Sequence, residues 1–237
     1  MWKATVLTLF PEMFPGPLDH SLAGTALRKK IWSLNTIDIR DFSETKYKNV
    51  DDTPYGGGAG MVMCPDVLGR ALDYACQDVD TSRPLIYMSP RGKRLSQSRV
   101  KTIASGTGAV ILCGRYEGID QRIIDYYNLE ETSVGDYILS GGEVAAYSLL
   151  DACIRLLPNV MGNKSTLSEE SFENDLLEYP HYTRPDLWKG LQVPDILKSG
   201  HHEEIKNWRH KKAEQITKER RPDLWEKYHK TLHSKKG

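Results

Sequence analysis

Four short segments in the first two thirds of the chain have the composition of strands. Three of them are apolar runs bounded by Gly or Pro, which is typical of buried strands. The fourth alternates apolar and polar residues, as a strand with one buried face does. The predicted strands are 4–10, 36–42, 84–90 and 109–115.

Helical stretches lie between and after these strands. The stretch 143–157 is apolar almost all round, which predicts a buried helix. Strands that alternate with helices favour a mostly parallel sheet covered by helices on both faces, so the predicted fold class is α/β. The other predicted helices in this part of the chain are 65–75, 96–104 and 119–127.

The alternation of strands and helices stops near residue 160. Residues 161–174 are polar, lack a sustained period and follow Pro158, which predicts a flexible linker. The sequence therefore predicts two domains, 1–160 and 175–237, on either side of this linker.

The C-terminal domain carries helical signals and no strand signal. A charged helix is predicted at 201–220, with Ile205, Trp208 and Ile216 on its inward side, and a second helix at 221–232. These segments predict a small all-helical domain with little core of its own.

The composition is that of a soluble globular protein, with 39% apolar and 27% charged residues. No apolar run approaches the roughly 20 residues that span a bilayer, and the N-terminal segment predicts a strand rather than a signal peptide. Four cysteines are widely spaced, without a CxxC pair. This spacing argues against a zinc site or a disulfide framework and fits reduced thiols in the cytoplasm.

Charge is distributed unevenly although the formal net charge is zero. Residues 1–160 carry a net charge of −2 and residues 161–197 a net charge of −4. Residues 198–237 carry 12 Lys and Arg against 6 Asp and Glu, together with five of the seven His. A basic segment of this kind indicates an anionic partner such as nucleic acid, and a solvated helix face is the alternative.

Small residues gather where the predicted strands end. The segments 88–92, 112–120 and 134–143 each follow a strand, and the ligand crevice of an open α/β sheet lies at the carboxyl ends of its strands. Together they predict a pocket of backbone groups for a flat polar ligand such as adenine, although each alone is also an ordinary turn. A fourth segment, 54–61, has four glycines in five residues and is either a ligand-contacting loop or a flexible turn.

Four motifs, GGGAGM, LCGRYEGIDQR, SVGDYILSGGE and PHYTRP, resemble those of the bacterial tRNA (guanine-N1)-methyltransferase family in order and spacing. The resemblance runs from the first strand to about Arg221. It implies transfer of a methyl group from S-adenosylmethionine to N1 of the guanine immediately 3′ of the anticodon in tRNA. It also implies the deep trefoil knot of the SPOUT methyltransferases and a homodimer with each active site at the subunit interface.

The resemblance assigns the cofactor site to three loops at strand ends. Tyr137, Ile138 and Leu139 would supply apolar walls for the adenine, and a carboxylate such as Glu117 would attract the positively charged sulfonium. The cofactor-binding residues are Tyr87, Met88, Ser89 and Pro90 in the first loop, Gly114, Arg115, Tyr116, Glu117 and Gly118 in the second, and Val134, Gly135, Asp136, Tyr137, Ile138, Leu139, Gly141 and Gly142 in the third.

The reaction requires a base, because guanine N1 carries a proton at neutral pH and must lose it as the methyl group arrives. The family uses an Asp of the interdomain linker, and the aligned residue here is Glu170, with Glu169 beside it. Arg155 matches the family's Arg and is assigned to guanine O6, where negative charge develops. The alternatives are an acidic solvated linker for Glu170 and an ion pair with Asp151 for Arg155.

Eight further residues are assigned to tRNA. The carboxylate of Asp51 can accept hydrogen bonds from guanine, His181 beside Arg184 can stack on an unpaired base, and basic side chains suit phosphates. Loop capping by Asp51 and domain docking by His181 are the alternatives. The predicted tRNA-binding residues are Asp51, Gly57, Gly58, His181, Arg184, Arg209, Lys211 and Lys212.

No dedicated metal site is predicted, since no Cys or carboxylate pattern accompanies His201 and His202. Some members of the family need Mg²⁺, and such an ion would here bridge substrate groups. Two rival functions are a knotted methyltransferase with another RNA target and a non-catalytic RNA-binding module. The glycine loop and PHYTRP argue against the first rival, and the complete set of cofactor loops with Arg155 argues against the second.

Overall fold

Two separately packed units make up the chain. The computed structural model describes residues 1–77, 82–162 and 170–234. The first unit comprises residues 1–162 and the second residues 163–237. No helix in the described part of the chain is long and apolar enough to cross a membrane.

Five parallel strands form the central sheet of the first unit. They lie in the order β2-β1-β6-β5-β7, and a separate antiparallel pair, β3 with β4, flanks the glycine loop. Because all five strands run the same way, their carboxyl ends meet at one edge of the sheet. The strands are β1 (Trp2–Thr8), β2 (Trp32–Asp38), β3 (Asp51–Asp52), β4 (Val62–Met63), β5 (Leu85–Arg94), β6 (Gly108–Cys113) and β7 (Glu130–Ser133).

Four α-helices connect the strands of the first unit, and a fifth follows its last strand. The most apolar of them is α5, as its sequence predicts, and both of its ends matter for the site described below. The helices are α1 (Ser21–Arg28), α2 (Pro65–Cys76), α3 (Gln97–Ser105), α4 (Gln121–Tyr127) and α5 (Gly142–Ile154).

Alternate residues of the central strands belong to two different cores, as the period of a strand requires. On one face, Ile86 of β5 and Ile111 of β6 pack into a core with residues of α1, α3 and α5. On the other face, Tyr87 and Leu112 pack with residues of α2 and α4. The sheet is therefore parallel and covered by helices on both faces, which confirms the predicted α/β class.

Several elements of the first unit differ from the prediction in position or were not predicted. β2 occupies Trp32–Asp38 rather than 36–42, because the Asp38 carboxylate accepts a hydrogen bond from the Arg40 N–H and turns the chain into a 3₁₀ turn. β7 and α1 were not predicted at all. β7 has the polar sequence EETS, which an edge strand tolerates since one side of it is unpaired.

The second unit is built around two helices and a small hairpin. Leu176, Ala213 and Tyr228 form its buried cluster, which is small for a unit of this length. The elements are β8 (Leu187–Trp188), β9 (Leu191–Gln192), α6 (His202–Arg220) and α7 (Pro222–Ser234). The prediction of an all-helical domain is therefore wrong, because the segment after PHYTRP pairs with itself as an antiparallel hairpin.

The inward face of α6 also differs from the prediction. Its buried residues are Ala213 and Thr217, whereas Ile205, Trp208 and Ile216 are half-buried. The Thr217 hydroxyl donates to the Ala213 carbonyl at 2.7 Å and accepts from the Leu177 N–H at 2.8 Å. A small, hydrogen-bonded residue thus lets the segment after residue 170 lie close to the helix.

Candidate functional site

The carboxyl ends of β5, β6 and β7 open into one cavity of about 290 Å³. Three loops surround it, and they are the three segments that the sequence singled out. Every predicted cofactor-binding residue except Asp136 lines this cavity. The Asp136 carboxylate instead forms an exposed ion pair with Arg94. The lining residues that were not predicted are Arg91, Ile119, Thr132, Ser133, Ser140 and Ala145.

Glycines let the walls of this cavity approach one another. The Gly142 N–H donates to the Gly114 carbonyl at 3.0 Å, which joins the loop after β6 to the start of α5. A Cβ on Gly142 would lie 2.8 Å from the Cα of Cys113, and a Cβ on Gly114 would lie 2.8 Å from the Tyr87 ring. Larger residues at these two positions would push the loops apart.

Tyr87 lies beneath the cavity, with 5% of its surface exposed. Burial raises the pKa of its phenol, so the hydroxyl stays protonated at neutral pH. Its ring separates the cavity from the core beneath the sheet, since Tyr87 packs there with residues of α2 and α4.

A second buried group, Ser89, fixes the part of β5 that lines the cavity. The Ser89 hydroxyl donates to the Glu131 carboxylate at 3.1 Å, and Arg91 Nη2 lies 3.1 Å from the same oxygen. Neither Arg91 nor Glu131 was predicted, because the strand that carries Glu131 was not recognised in the sequence.

Glu143 is the third polar residue that sequence reasoning missed. It is 1% exposed at the start of α5, where it lies 2.9 Å from Arg115 and accepts a hydrogen bond from Thr8 at 2.7 Å. Two signals in the sequence could have identified it, since it ends the motif SVGDYILSGGE and is a lone Glu in an otherwise apolar helix.

The glycine loop is tied to the edge of the cavity. The Glu117 N–H donates to the Met61 carbonyl and the Met63 N–H donates to the Gly118 carbonyl, each at 3.0 Å. Gly57 and Gly58 have φ values of 78° and 131°, in the region that favours glycine, and both are exposed.

Asp51 reaches the cavity through Tyr116. The Tyr116 hydroxyl donates to the Asp51 carboxylate, and burial together with this charge raises the pKa of the phenol. Of the residues predicted to contact tRNA, Asp51 thus lies beside the predicted cofactor loops.

Glu117 lines the cavity as an exposed side chain.

Arg155 lies at the opposite end of α5 from the cavity. Gly142 begins this helix and lines the cavity, whereas Arg155 is the half-buried residue that follows its last turn. Ala145 is the last residue of α5 that lines the cavity, and the ten residues from there to Arg155 rise about 15 Å. The structure therefore does not bring Arg155 to the cavity of its own chain. The Arg155 N–H donates to the Asp151 carbonyl at 3.1 Å.

Glu170 belongs to the second unit. It lines a cavity of about 910 Å³ there, together with acidic residues of the same segment and with residues of α6 and α7. Its carbonyl accepts a hydrogen bond from the Glu173 N–H at 3.2 Å. Glu169 lies outside the described residues, as does the rest of the segment 163–169, half of the predicted linker.

Aromatic and basic side chains line another cavity of the second unit, with a volume of about 640 Å³. The predicted tRNA-binding residues His181, Arg184 and Arg209 all border it. The Arg209 guanidinium lies 4.8 Å from the centre of the Tyr179 ring. Lys211 and Lys212 lie on α6 outside this cavity, where Lys212 donates to Gln215 at 3.2 Å.

Among the residues that the structure describes, no three His, Cys, Asp or Glu side chains come together in a group that could hold a metal ion. Cys64, Cys76, Cys113 and Cys153 are free thiols.

Comparison with known proteins finds similar sequences over most of the chain. A family profile described as tRNA (Guanine-1)-methyltransferase TrmD matches residues 2–227. Proteins from Brucella ovis and Brucella suis, both named tRNA (guanine-N(1)-)-methyltransferase, are 62% identical to this chain over 227 residues. That alignment covers 96% of this chain and 92% and 91% of the two relatives.

Proposed function

The chain belongs to the tRNA (guanine-1)-methyltransferase family, as its motifs predicted, and from this membership we propose its reaction. It transfers a methyl group from S-adenosylmethionine to N1 of the guanine immediately 3′ of the anticodon in tRNA. The observation that carries the proposal is the cavity of the first unit, because its three loops carry the family's motifs and meet at the carboxyl edge of the sheet.

The residues of this cavity suit S-adenosylmethionine, which supplies the methyl group. The glycines of the loops 114–118 and 134–142 expose backbone N–H and C=O groups that can bind the polar edge of an adenine. Leu139 and Ile119 offer apolar walls, and the Glu117 carboxylate offers a negative charge for the sulfonium.

Two side chains serve the guanine in this proposal. The Glu170 carboxylate accepts the proton that N1 loses when its bond to the methyl group forms. The Arg155 guanidinium stabilises the negative charge that develops on O6. Any Mg²⁺ that the reaction needs is held by substrate groups, since no dedicated ligand set is assigned to it.

A homodimer with active sites at the subunit interface fits the position of Arg155. Because Arg155 lies about 15 Å along α5 from the cavity of its own chain, a second copy is the natural source of the Arg155 that serves each site. We also propose that the first unit contains the trefoil knot of its family. The four free thiols fit a protein of the cytoplasm, which we propose as its location.

The second unit is proposed to hold tRNA. Residues 198–237 carry a net charge of +6, which attracts the phosphate backbone. The cavity bordered by His181, Arg184 and Arg209 combines aromatic rings with cations, the combination that suits an unpaired base and its phosphate.

The deciding experiment is to map the methylated nucleotide. Unmodified tRNA is incubated with the full chain and S-adenosylmethionine, digested and analysed by mass spectrometry. We expect 1-methylguanine at the position 3′ of the anticodon. Methyl groups on another base or on a ribose would contradict the proposed target, and an absence of methyl transfer together with tRNA binding would support a non-catalytic module.

A further inference from the structure

Glu143 is a carboxylate buried almost completely beside the cofactor cavity. It is the second residue of α5, where the positive end of the helix dipole favours a negative charge. The Thr8 hydroxyl at the end of β1 donates to Oε1 at 2.7 Å, and Arg115 Nη2 lies 2.9 Å from Oε2. A buried charge is retained only when it is paired in this way.

Arg115 connects the two glycine loops of the cavity. It follows β6 in the loop 114–118, and its Nη1 donates to the Ser140 carbonyl in the loop 134–142 at 3.2 Å. Its guanidinium lies 4.4 Å from the centre of the Phe10 ring. Within the described part of the chain, Nε of Arg115 has no hydrogen-bond acceptor. Among the described residues, Oε2 of Glu143 also has no hydrogen bond of good geometry, so its contact with Nη2 of Arg115 at 2.9 Å is an ion pair. The orientation of the guanidinium therefore depends on this ion pair, on the Ser140 carbonyl and on a contact of 3.9 Å between Nη2 and the Met13 sulfur.

The absence of a side chain at Gly141 lets the guanidinium of Arg115 lie against the loop 134–142. A side chain at Gly141 would collide with the Arg115 guanidinium, so the loop and the guanidinium are in direct contact. Moving Arg115 would thus move the loop that carries Leu139, Gly141 and Gly142, all of which line the cavity.

We propose that Glu143 is a positioning residue for cofactor binding. It holds Arg115 as the link between the loops 114–118 and 134–142 and so maintains the width of the cavity. In this arrangement the charge of Arg115 is neutralised by the protein. Arg115 acts as a wall of the site, and the inference rests on the proposed use of S-adenosylmethionine.

The test is calorimetric titration of the full chain with S-adenosylmethionine, comparing the wild type with Glu143→Gln. The substitution keeps the shape of the side chain but leaves Arg115 with an uncompensated charge. We expect the affinity to fall by about tenfold or more. Glu130→Gln is the matched control, since Glu130 pairs with Arg99 in the same unit away from the cavity, and its affinity should stay within about twofold of the wild type.

Steady-state kinetics separates positioning from general stability. The KM for S-adenosylmethionine should rise in Glu143→Gln while the KM for tRNA stays the same. A purely structural loss would lower the active fraction and leave both KM values unchanged. The double variant Glu143→Gln with Arg115→Gln should bind no more weakly than the weaker single variant, because the two side chains act as one unit.

Several results would overturn the inference. Wild-type affinity in Glu143→Gln, or strictly additive losses in the double variant, would show that the pair does not position the loops. If Glu143→Gln does not fold, Thr8→Val replaces it, since it removes one hydrogen bond to the carboxylate and should weaken binding about threefold. An unchanged affinity in a folded Thr8→Val would then count against the proposal. If the wild type itself does not bind the cofactor, the proposed function is wrong.

Discussion

At the scale of single residues, the proposed base is a carboxylate that differs from the usual one by a methylene group. The resemblance of the motifs places an Asp of the family where this chain has Glu170. Glu170 lies in the second unit, in a single turn that Glu173 closes with a hydrogen bond of 3.2 Å. The longer side chain keeps the basicity of a carboxylate. The reaction therefore requires that the carboxylate reach guanine N1, and either Asp or Glu can supply it.

Replacing Glu170 by Gln removes basicity while it keeps shape and hydrogen bonding. We expect the methyl-transfer rate in single-turnover experiments to fall by about a hundred- to ten-thousandfold, with the affinities for tRNA and S-adenosylmethionine nearly unchanged. Glu170→Asp, which restores the usual residue, should change the rate modestly in either direction.

Glu173→Gln is the control for this prediction, because it alters a neighbouring acidic residue that borders the same cavity. A loss of about twofold or less in Glu170→Gln would show that Glu170 is not the base. In that case the double replacement of Glu169 and Glu170 decides whether the adjacent carboxylate acts instead.

The residues that line the cavity could be predicted from motifs, whereas their supports could not. The glycines and Tyr87 lie within recognisable segments. Arg115 was assigned to the cofactor, and its partner Glu143 ends the motif SVGDYILSGGE 28 positions later, but neither motif indicates that the two side chains pair. A contact of this kind depends on how β1, β6 and α5 meet, and no local pattern encodes it.

At the scale of elements, strong apolar runs were predictable and weak ones were not. β1 and β6 coincide closely with their apolar segments because they are buried on both faces. β5 begins where its apolar segment does but continues to Arg94, and the residues after Ser89 are largely exposed. β7 at the edge of the sheet carries EETS, and its pairing with β5 shows a register shift between Met88 and Lys93. This polar strand nevertheless bounds the cavity with Thr132 and Ser133, so the least predictable strand is part of the site.

The contact between β6 and α5 leads to a prediction about Gly142. Gly142→Ala places a Cβ 2.8 Å from the Cα of Cys113, and backbone cannot yield as a flexible side chain does. We expect the affinity for S-adenosylmethionine to fall by about tenfold or more in calorimetry, because the two loops must separate.

Gly69→Ala is the matched control in α2, where the new Cβ would make an ordinary contact of 3.5 Å with the Tyr127 hydroxyl. It should leave cofactor affinity unchanged and stabilise the fold by about 0.5–1 kcal/mol, since Ala favours helix over Gly. Equal affinities for the wild type and Gly142→Ala would mean that the cavity tolerates a wider opening.

At the scale of the whole molecule, the two units have separate cores. The first unit contains two extensive clusters, one on each face of its sheet, and the second has one small cluster around Leu176, Ala213 and Tyr228. The charge is divided too, because residues 1–160 carry −2 and residues 198–237 carry +6. This division predicts that binding of the cofactor and binding of tRNA can be separated.

A chain that ends at Gly162 should therefore bind S-adenosylmethionine as the full chain does and bind tRNA far more weakly. The full chain should also lose tRNA affinity steeply as salt is raised, since cations of the second unit displace counterions from the phosphates. Calorimetry and filter binding at two salt concentrations measure both quantities. Equal tRNA affinity in the shortened and full chains would contradict the assignment of tRNA binding to the second unit.

The position of Arg155 leads to a test of the complete active site. Arg155→Ala should lower the rate by about a hundredfold or more without weakening cofactor binding.

Gly142→Val should abolish cofactor binding and keep Arg155. If each site combines the cavity of one chain with Arg155 of the other, mixing the two inactive proteins under subunit exchange creates one intact site in every mixed dimer. Since half of the dimers are then mixed, activity should return to about a quarter of the wild-type value. If Arg155 served the cavity of its own chain, every site in the mixture would carry a defect, and no activity would return.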